Sequence, residues 1–223
     1  MYEVEIKSLL GEKQNADSFR EQLMNNGAVL VRDAYTQLNH YFTADKGSLV
    51  NLTEKLSSYL SENRLLELRD LVEQGIEYSI RTRSMNDKVL FVLKMSIDDT
   101  TSDNGIARRE FEQSVELSLD DLDALLVESG CKYQAKWSRT REEYTFDGMN
   151  VSLDKNAGYG YLTEFEMVVD DQNLVDTARD KIYDALNQFN LVELNQDRLG
   201  RMFDYYNNNW SDYYGTEKTF TLE

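Results

Sequence analysis

The sequence predicts an α+β protein in which one large antiparallel sheet closes into a β-barrel, with helices packed outside it. Three observations predict this class. Several segments alternate charged with apolar residues, short polar turns join neighbouring segments into hairpins, and a few stretches have helical spacing. Alternation with a period of two is typical of a strand with one apolar and one polar face. Closure is expected because a barrel turns one face of every strand towards a common interior.

The first half of the chain predicts two strands and two helical stretches. In order, these are a strand at 2–9, a helix at about 16–26, a strand at about 29–43 and a helical insertion at about 48–73. Phe19 and Leu23 share one face of the first helix, and Gly27 ends it. Leucines recur along one face of the insertion, which carries no recognisable chemistry. We therefore expect the insertion to pack on the outside of the sheet.

The second half predicts more strands, joined by tight turns. In order, these are a hairpin over 77–94 turning at Asn86-Asp87, a strand at 107–117, a helix at 119–129 capped by Ser118, strands at 132–146 and 149–155 around a turn at Asp147-Gly148, a strand at 161–169 and a helix at 173–188. No linker rich in Pro, Gly or Ser divides the chain. We predict one domain over 1–190, and a C-terminal helical and aromatic tail over 191–223 that packs on it. The alternative is that this tail forms a lid that closes one mouth of the barrel.

Composition narrows the classes of partner. The chain has 223 residues, 41% of them hydrophobic, and a formal net charge of −17. This charge argues against nucleic acid and anionic membranes as partners, and no apolar run is long enough to span a bilayer. A single cysteine gives no disulfide framework and fits a reducing, cytoplasmic location.

His40 is the only histidine, which excludes a histidine-rich zinc site. We interpret His40 as a strand residue bonded to a neighbour rather than as a general base.

Charged residues of one sign recur at positions i and i+2, and therefore on one face of a strand. The pairs are Glu3 and Glu5, Arg81 and Arg83, Arg139 and Arg141, and Glu164 and Glu166. Any single pair is also compatible with a solvated strand face. Repetition of like charges is unfavourable without a ligand to relieve the repulsion. Two carboxylates suit a divalent cation, and two guanidinium groups suit a polyanion such as phosphate.

Six short motifs follow one another in an order that points to a known family. They are Glu3-Val-Glu5-Ile-Lys7, Arg81-Thr-Arg83, Lys94, Arg139-Thr-Arg141, Leu153-Asp154, and the run from Gly158 and Gly160 to Glu164-Phe-Glu166. This order resembles that of the CYTH superfamily, also called triphosphate tunnel metalloenzymes. The superfamily contains class IV adenylyl cyclases, thiamine triphosphatases and inorganic tripolyphosphatases. The resemblance runs from Tyr2 to about Val169.

The resemblance implies a barrel tunnel with an acidic and a basic side. It implies Mg²⁺ or Mn²⁺ as cofactor, bound by Glu3, Glu5, Asp154, Glu164 and Glu166. It implies that the triphosphate is bound by Lys7, Arg81, Arg83, Lys94, Arg139, Arg141, Arg108 and Arg201, with Lys7, Glu164 and Glu166 as catalytic residues. Glu110 and Glu112, on the strand of Arg108, are expected to balance the basic side chains.

The implied function is a divalent-metal-dependent hydrolase acting on tripolyphosphate or on an organic triphosphate such as thiamine triphosphate or a nucleotide. The alternative is a class IV adenylyl cyclase that makes cyclic AMP and pyrophosphate from ATP. In those cyclases a His-Phe pair tends to precede the opening motif, whereas only Met1 and Tyr2 precede Glu3 here, which favours the hydrolase. A third reading is a non-catalytic module that binds nucleotides or polyphosphate. A homodimer is compatible with all three.

Overall fold

The computed structural model describes residues 2–96 and 108–222, except for the side chains of Glu3, Ser96 and Arg108. The chain divides into two compact units. Unit 1 comprises Met1–Thr36 and Ser138–Glu223, and unit 2 comprises Gln37–Trp137. None of the described helices combines the length and the apolar character needed to cross a membrane. The predicted division at residue 190 stays a prediction.

Eight strands and six α-helices form within the described residues, which confirms the α+β class. The strands are β1 Tyr2–Gly11, β2 Val29–Thr43, β3 Glu77–Met85, β4 Lys88–Ser96, β5 Arg108–Val115, β6 Lys132–Phe146, β7 Met149–Asn156 and β8 Gly160–Val169. The helices are α1 Lys13–Asn25, α2 Lys46–Leu56, α3 Glu62–Gln74, α4 Leu119–Glu128, α5 Val175–Gln188 and α6 Gln196–Asn209. Short 3₁₀ turns occupy Gln172–Leu174 and Trp210–Asp212. The helical insertion is therefore two helices, α2 and α3.

The strands form one sheet in the order β1-β8-β7-β6-β2-β3-β4-β5. β1 and β5 end this order, and no pairing in the described part of the chain joins them. The prediction of a closed barrel is therefore wrong for this sheet. The outer edge of β1 is covered by the chain that follows α5. The Leu194 N–H donates to the Lys7 carbonyl at 2.7 Å, and Ser8 Oγ donates to the Val192 carbonyl at 2.7 Å.

Both predicted hairpin turns are confirmed. Asn86 and Asp87 have φ angles of 49° and 62°, and Asp147 and Gly148 have φ angles of 46° and 75°. Two-residue turns with positive φ at both positions match the right-handed twist of the strands that they join. Asn, Asp and Gly tolerate this region of backbone space better than other residues. The turns thus fix the register of β3 with β4 and of β6 with β7.

The core of unit 1 lies between the sheet and the helices α1 and α5. Phe165 of β8 is fully buried and meets Phe19 of α1 edge-on, with ring centroids 6.1 Å apart. An ion pair on this side also joins α1 to β6, because Arg20 donates through Nε and Nη2 to the two oxygens of Glu142, at 2.8 Å each. Side chains alternate along a strand, so the neighbours of Phe165 point to the opposite face. The core therefore determines which face carries Glu164 and Glu166.

The core of unit 2 lies where α2, α3 and α4 pack on β3, β4 and β5. Phe91 and Phe111 are fully buried there, among leucines of all three helices. This confirms that the insertion packs on the sheet. Cys131 is also buried in this core, with 3% of its surface exposed, and burial raises the pKa of its thiol to about 11.

Gly160 begins β8 where no larger residue fits. Its φ is +75°, and a Cβ atom there would lie 2.3 Å from the Gly11 carbonyl oxygen. We expect Gly160→Ala to lower the free energy of unfolding by about 2–4 kcal/mol, because left-handed strain and a backbone clash add up. Urea denaturation measures this loss. Gly148→Ala is the matched control, since φ is also +75° there but nothing lies within 4 Å. Equal losses in both variants would contradict the clash.

Candidate functional site

Four strands of unit 1 gather charged side chains on the face opposite its core. Lys7 lies directly opposite Glu164, and Glu5 directly opposite Glu166, in the pairing of β1 with β8. Arg141 lies directly opposite Asp154 in the pairing of β6 with β7. We call this set the charged face of unit 1: Glu5, Lys7, Arg139, Arg141, Asp154, Glu164 and Glu166. Seven of the predicted site residues thus come together in one unit.

Asp154 holds both arginines of β6. Arg141 donates from Nε to Oδ1 at 2.7 Å and from Nη2 to Oδ2 at 2.6 Å, and Arg139 Nη1 donates to Oδ2 at 3.0 Å. Asp154 is only 1% exposed. Three of the roughly four lone-pair positions of its carboxylate are therefore occupied. In this state Asp154 positions the guanidinium groups, and its predicted role as a metal ligand stays a prediction.

Glu164 lies between two cations. Arg141 Nη2 is 2.7 Å from one carboxylate oxygen, Lys7 Nζ is 3.4 Å from the other, and Ser152 Oγ donates at 3.3 Å. Burial alone would raise the pKa of Glu164, but the charges of Lys7 and Arg141 outweigh it, and the pKa lies below its ordinary value. Burial likewise opposes the charge of Arg141, and its bonds to Asp154 and the charge of Glu164 raise its pKa. Both groups are therefore ionised at neutral pH.

Glu5 and Glu166 form the more acidic end of this face. Glu5 is paired with Lys7, and Glu166 accepts a long hydrogen bond of 3.4 Å from Asn150 Nδ2. Two carboxylates directly opposite each other on neighbouring strands repel unless a cation lies between them. Carboxylate oxygens are the ligands that Mg²⁺ and Mn²⁺ prefer, so the donor set fits these ions.

No ready-made metal centre is present in the described part of the chain, where no three His, Cys, Asp or Glu side chains are grouped closely enough to hold an ion. The Glu3 side chain lies outside the described residues, so the predicted ligand set is described only in part. A cavity of about 300 Å³ opens on the face, lined among others by Arg141, Ser152, Glu164 and Glu166. It adjoins the carboxylates and Arg141.

Unit 2 carries a second set of charged side chains on one face of β3, β4 and β5. Lys94 lies directly opposite Glu110, with Nζ 2.9 Å from its carboxylate, and Arg83 Nη1 lies 3.3 Å from Glu112. These contacts confirm that the two glutamates balance basic residues. The side chain of Arg108, a predicted ligand on the same strand as Glu110, lies outside the described residues.

The Arg81 side chain has a buried nitrogen that makes no hydrogen bond to any described residue. Its guanidinium carbon lies 5.1 Å from the centre of the Tyr41 ring, and its Nε is buried without a hydrogen-bond partner among the described residues. Leaving a buried charged donor unpaired costs more than leaving a neutral one. A phosphate oxygen is an acceptor suited to this nitrogen.

A buried network behind β3 was not predicted from the sequence. Thr82 stands between Arg81 and Arg83 but points to the opposite face, where its hydroxyl donates to Asp123 Oδ1 of α4 at 2.5 Å. Asp123 Oδ2 accepts from the Tyr133 hydroxyl at 2.7 Å and lies 2.6 Å from His40 Nδ1. The prediction that His40 bonds a neighbour is confirmed. This network holds the strand that carries the two arginines.

Electrostatics favours the ionised form of Asp123. Burial would raise the pKa of Asp123, but the bonds from His40, Thr82 and Tyr133 lower it below its ordinary value. The Lys136 side chain, whose Nζ lies 3.8 Å from Asp123 Oδ2, is only 22% exposed and adds a positive charge to this network. Nothing in the local sequence signals this network, because its members come from distant segments.

The C-terminal segment packs within unit 1. Tyr206 of α6 is fully buried, and the Phe220 N–H donates to the Gly158 carbonyl at 2.6 Å. The Phe220 ring lies 4.6 Å from that of Tyr205. These contacts favour packing over a lid. Arg201 is exposed on α6, and its assignment as a phosphate ligand stays a prediction.

Comparisons with known proteins identify the fold. No protein-family model matches the chain, and no curated protein does. A putative adenylate cyclase from Vibrio parahaemolyticus is similar, with a TM-score of 0.57 and 14% identity over 88% of this chain and 94% of that one. A conserved hypothetical protein from Pyrococcus furiosus has a TM-score of 0.57 and 18% identity over 86% and 92% of the two chains.

A putative adenylyl cyclase from Hippeastrum, described as having a dominant triphosphatase activity, is similar over 90% of this chain and 95% of its own. Its TM-score is 0.52 and its identity is 13%. Likenesses at these identities show the fold, and at that level they confirm the resemblance to which the motifs point.

Proposed function

We propose that this protein is an enzyme that hydrolyses a triphosphate substrate with the help of a divalent cation. The observation that carries the proposal is the charged face of unit 1, where Arg139 and Arg141 meet at Asp154 beside Glu164 and Lys7. Basic and acidic groups neutralise one another there. A substrate with several negative charges can bind the basic members of these ion pairs. The cations that accompany the substrate can bind the acidic members.

Lys7, Arg139 and Arg141 would bind phosphoryl oxygens of the substrate. The two arginines already lie side by side on Asp154, so little side-chain freedom is lost on binding. Negative charge that develops on the transferred phosphoryl group is stabilised by these fixed cations. Arg81, Arg83 and Lys94 of unit 2, and Arg108 and Arg201, remain proposed phosphate ligands, and the unpaired Nε of Arg81 supports its role.

Glu3, Glu5, Asp154, Glu164 and Glu166 would hold the Mg²⁺ or Mn²⁺ ions. When bound, such an ion neutralises phosphate charge and lowers the pKa of a bound water. Glu164 acts in this proposal as an ionised ligand, which agrees with its lowered pKa. Glu166 supplies a further carboxylate ligand. A cytoplasmic location and a homodimer stay predictions.

A cyclase that forms cyclic AMP from ATP is the second candidate. It is favoured by the putative adenylate cyclases among the proteins of similar fold. The Hippeastrum protein, described as a putative cyclase with dominant triphosphatase activity, is the reason to rank hydrolysis first.

Product analysis with Glu164→Gln tests the proposal. Tripolyphosphate, thiamine triphosphate and ATP are each offered with Mg²⁺ and with Mn²⁺, and phosphate and cyclic AMP are both measured. We expect phosphate release that falls about 100-fold or more in Glu164→Gln, because the variant removes a charge from the centre of the site. Glu12→Gln, at an exposed position, should retain full activity.

The products distinguish the hydrolase from the cyclase and from a non-catalytic binding module. Cyclic AMP with pyrophosphate as the main products would establish the cyclase. Tight binding of tripolyphosphate without any turnover would favour a non-catalytic module.

A further inference from the structure

Asn156, the last residue of β7, has a buried side-chain nitrogen without a hydrogen-bond partner among the described residues. Its side chain is 7% exposed, and its Nδ2 makes no hydrogen bond to any described residue. Buried polar groups in proteins are nearly always paired. An unpaired buried donor weakens the fold, so an unpaired amide beside a candidate site points to an acceptor that a ligand supplies.

The register of the sheet puts this amide at the candidate site. Asn156 lies two residues after Asp154, and therefore on the same face of β7. On one side it is directly opposite Arg139, whose guanidinium group binds Asp154. On the other side it is directly opposite Gly160, which has no side chain to accept a hydrogen bond. Asn156 thus adds a neutral donor to the end of the charged face of unit 1 that carries Arg139.

The chemistry of this end determines which ligand group fits. Arg139 offers only donors, and the nearby acceptor, Asp154, is already occupied by three guanidinium N–H groups. An incoming group must therefore bring several acceptors and negative charge, as a phosphoryl group does.

We propose that Asn156 Nδ2 is a further substrate-binding donor, which binds a phosphoryl oxygen of the triphosphate next to Arg139. The inference rests on the proposed function and deepens it by assigning a neutral residue to phosphate binding. Because the donor carries no charge, its effect on affinity depends less on ionic strength than that of Arg139.

A substitution that removes the amide should separate binding from stability. Asn156→Val replaces an unpaired polar group with an apolar one, so the free protein keeps its melting temperature or gains a few degrees. The same variant should weaken binding of tripolyphosphate by about 10- to 100-fold, which is the usual range for one hydrogen bond to a charged group. Calorimetry without an added divalent cation measures this loss, because the proposed hydrolysis needs the cation. Asn156→Thr keeps a donor and should recover part of the affinity.

Controls separate this inference from the proposed function. Asn26→Val, which removes an exposed amide after α1, should leave affinity unchanged. If wild type binds tripolyphosphate and Asn156→Val binds it equally well, the inference is wrong while the proposed function stands. A parallel fall of affinity and melting temperature in Asn156→Val would show a structural role and also overturn it. If wild type neither binds nor turns over tripolyphosphate, thiamine triphosphate or ATP, both proposals fail.

Discussion

Replacing Arg141 with lysine is expected to lower kcat/KM for tripolyphosphate about 100-fold or more, which corresponds to about 2.7 kcal/mol of transition-state stabilisation. Arg141 donates to Asp154 through two nitrogens and to Glu164 through one. Lysine keeps the charge but cannot form this planar, two-pronged contact. The loss should therefore come from geometry rather than from charge.

Steady-state kinetics of Arg141→Lys should be compared with those of Arg20→Lys. Arg20 binds Glu142 with the same two-nitrogen geometry, at 2.8 Å for each bond, but on the core side of the sheet. We expect Arg20→Lys to lower stability and to leave KM unchanged. Equal activity in the two variants would rule out a special role for Arg141.

Replacing Asp123 with alanine is expected to cost about 3–5 kcal/mol of unfolding free energy. The substitution leaves the donors of His40, Thr82 and Tyr133 buried without their acceptor. Since natural domains are stable by only about 5–15 kcal/mol, this loss is a large fraction of the stability of a fold. Urea denaturation measures the loss, and Asp120→Ala, exposed in the first turn of α4, should change stability by less than about 1 kcal/mol.

The stabilisation by Asp123 should also depend on pH. Its pKa is lower in the folded chain than the ordinary value of 3.8. The stabilisation is therefore complete above about pH 4 to 5 and is lost as the pH falls through the folded-state pKa. Wild type should lose more of its stability than Asp123→Asn over this acidic range. Parallel acid denaturation curves would contradict the assignment of an ionised carboxylate.

Local chemistry in the sequence was enough to predict the hairpins. Asn86 and Asp87 are residues that accept positive φ, and the strands on each side alternate in character, so turn and register follow from neighbouring residues. The same alternation predicted that Glu164 and Glu166 share a face opposite Phe165. The α+β class and the placement of like charges on one face of each strand were therefore predictable from residue order, whereas Asp154 entered the predicted site only through the resemblance.

Partnerships between distant segments were not predictable. One carboxylate, that of Asp154, binds both Arg139 and Arg141. This contact depends on the register of β6 with β7 and on side-chain rotamers, which no local pattern encodes. Closure of the sheet was predicted only because a barrel turns one face of every strand towards a common interior, and no local pattern in the sequence required it. The edge of β1 instead bonds Leu194, because backbone groups at an edge pair with whichever segment the packing brings close.

The burial of Cys131 has a practical consequence for spectroscopy. Its thiol is 3% exposed and its pKa is raised to about 11, so almost no reactive thiolate exists at pH 7. The chain has no other cysteine. A cysteine introduced at exposed Thr145, which lines the cavity of the charged face of unit 1, should therefore react alone with a maleimide dye. Such a conjugate would report occupancy of the site by fluorescence, independently of turnover.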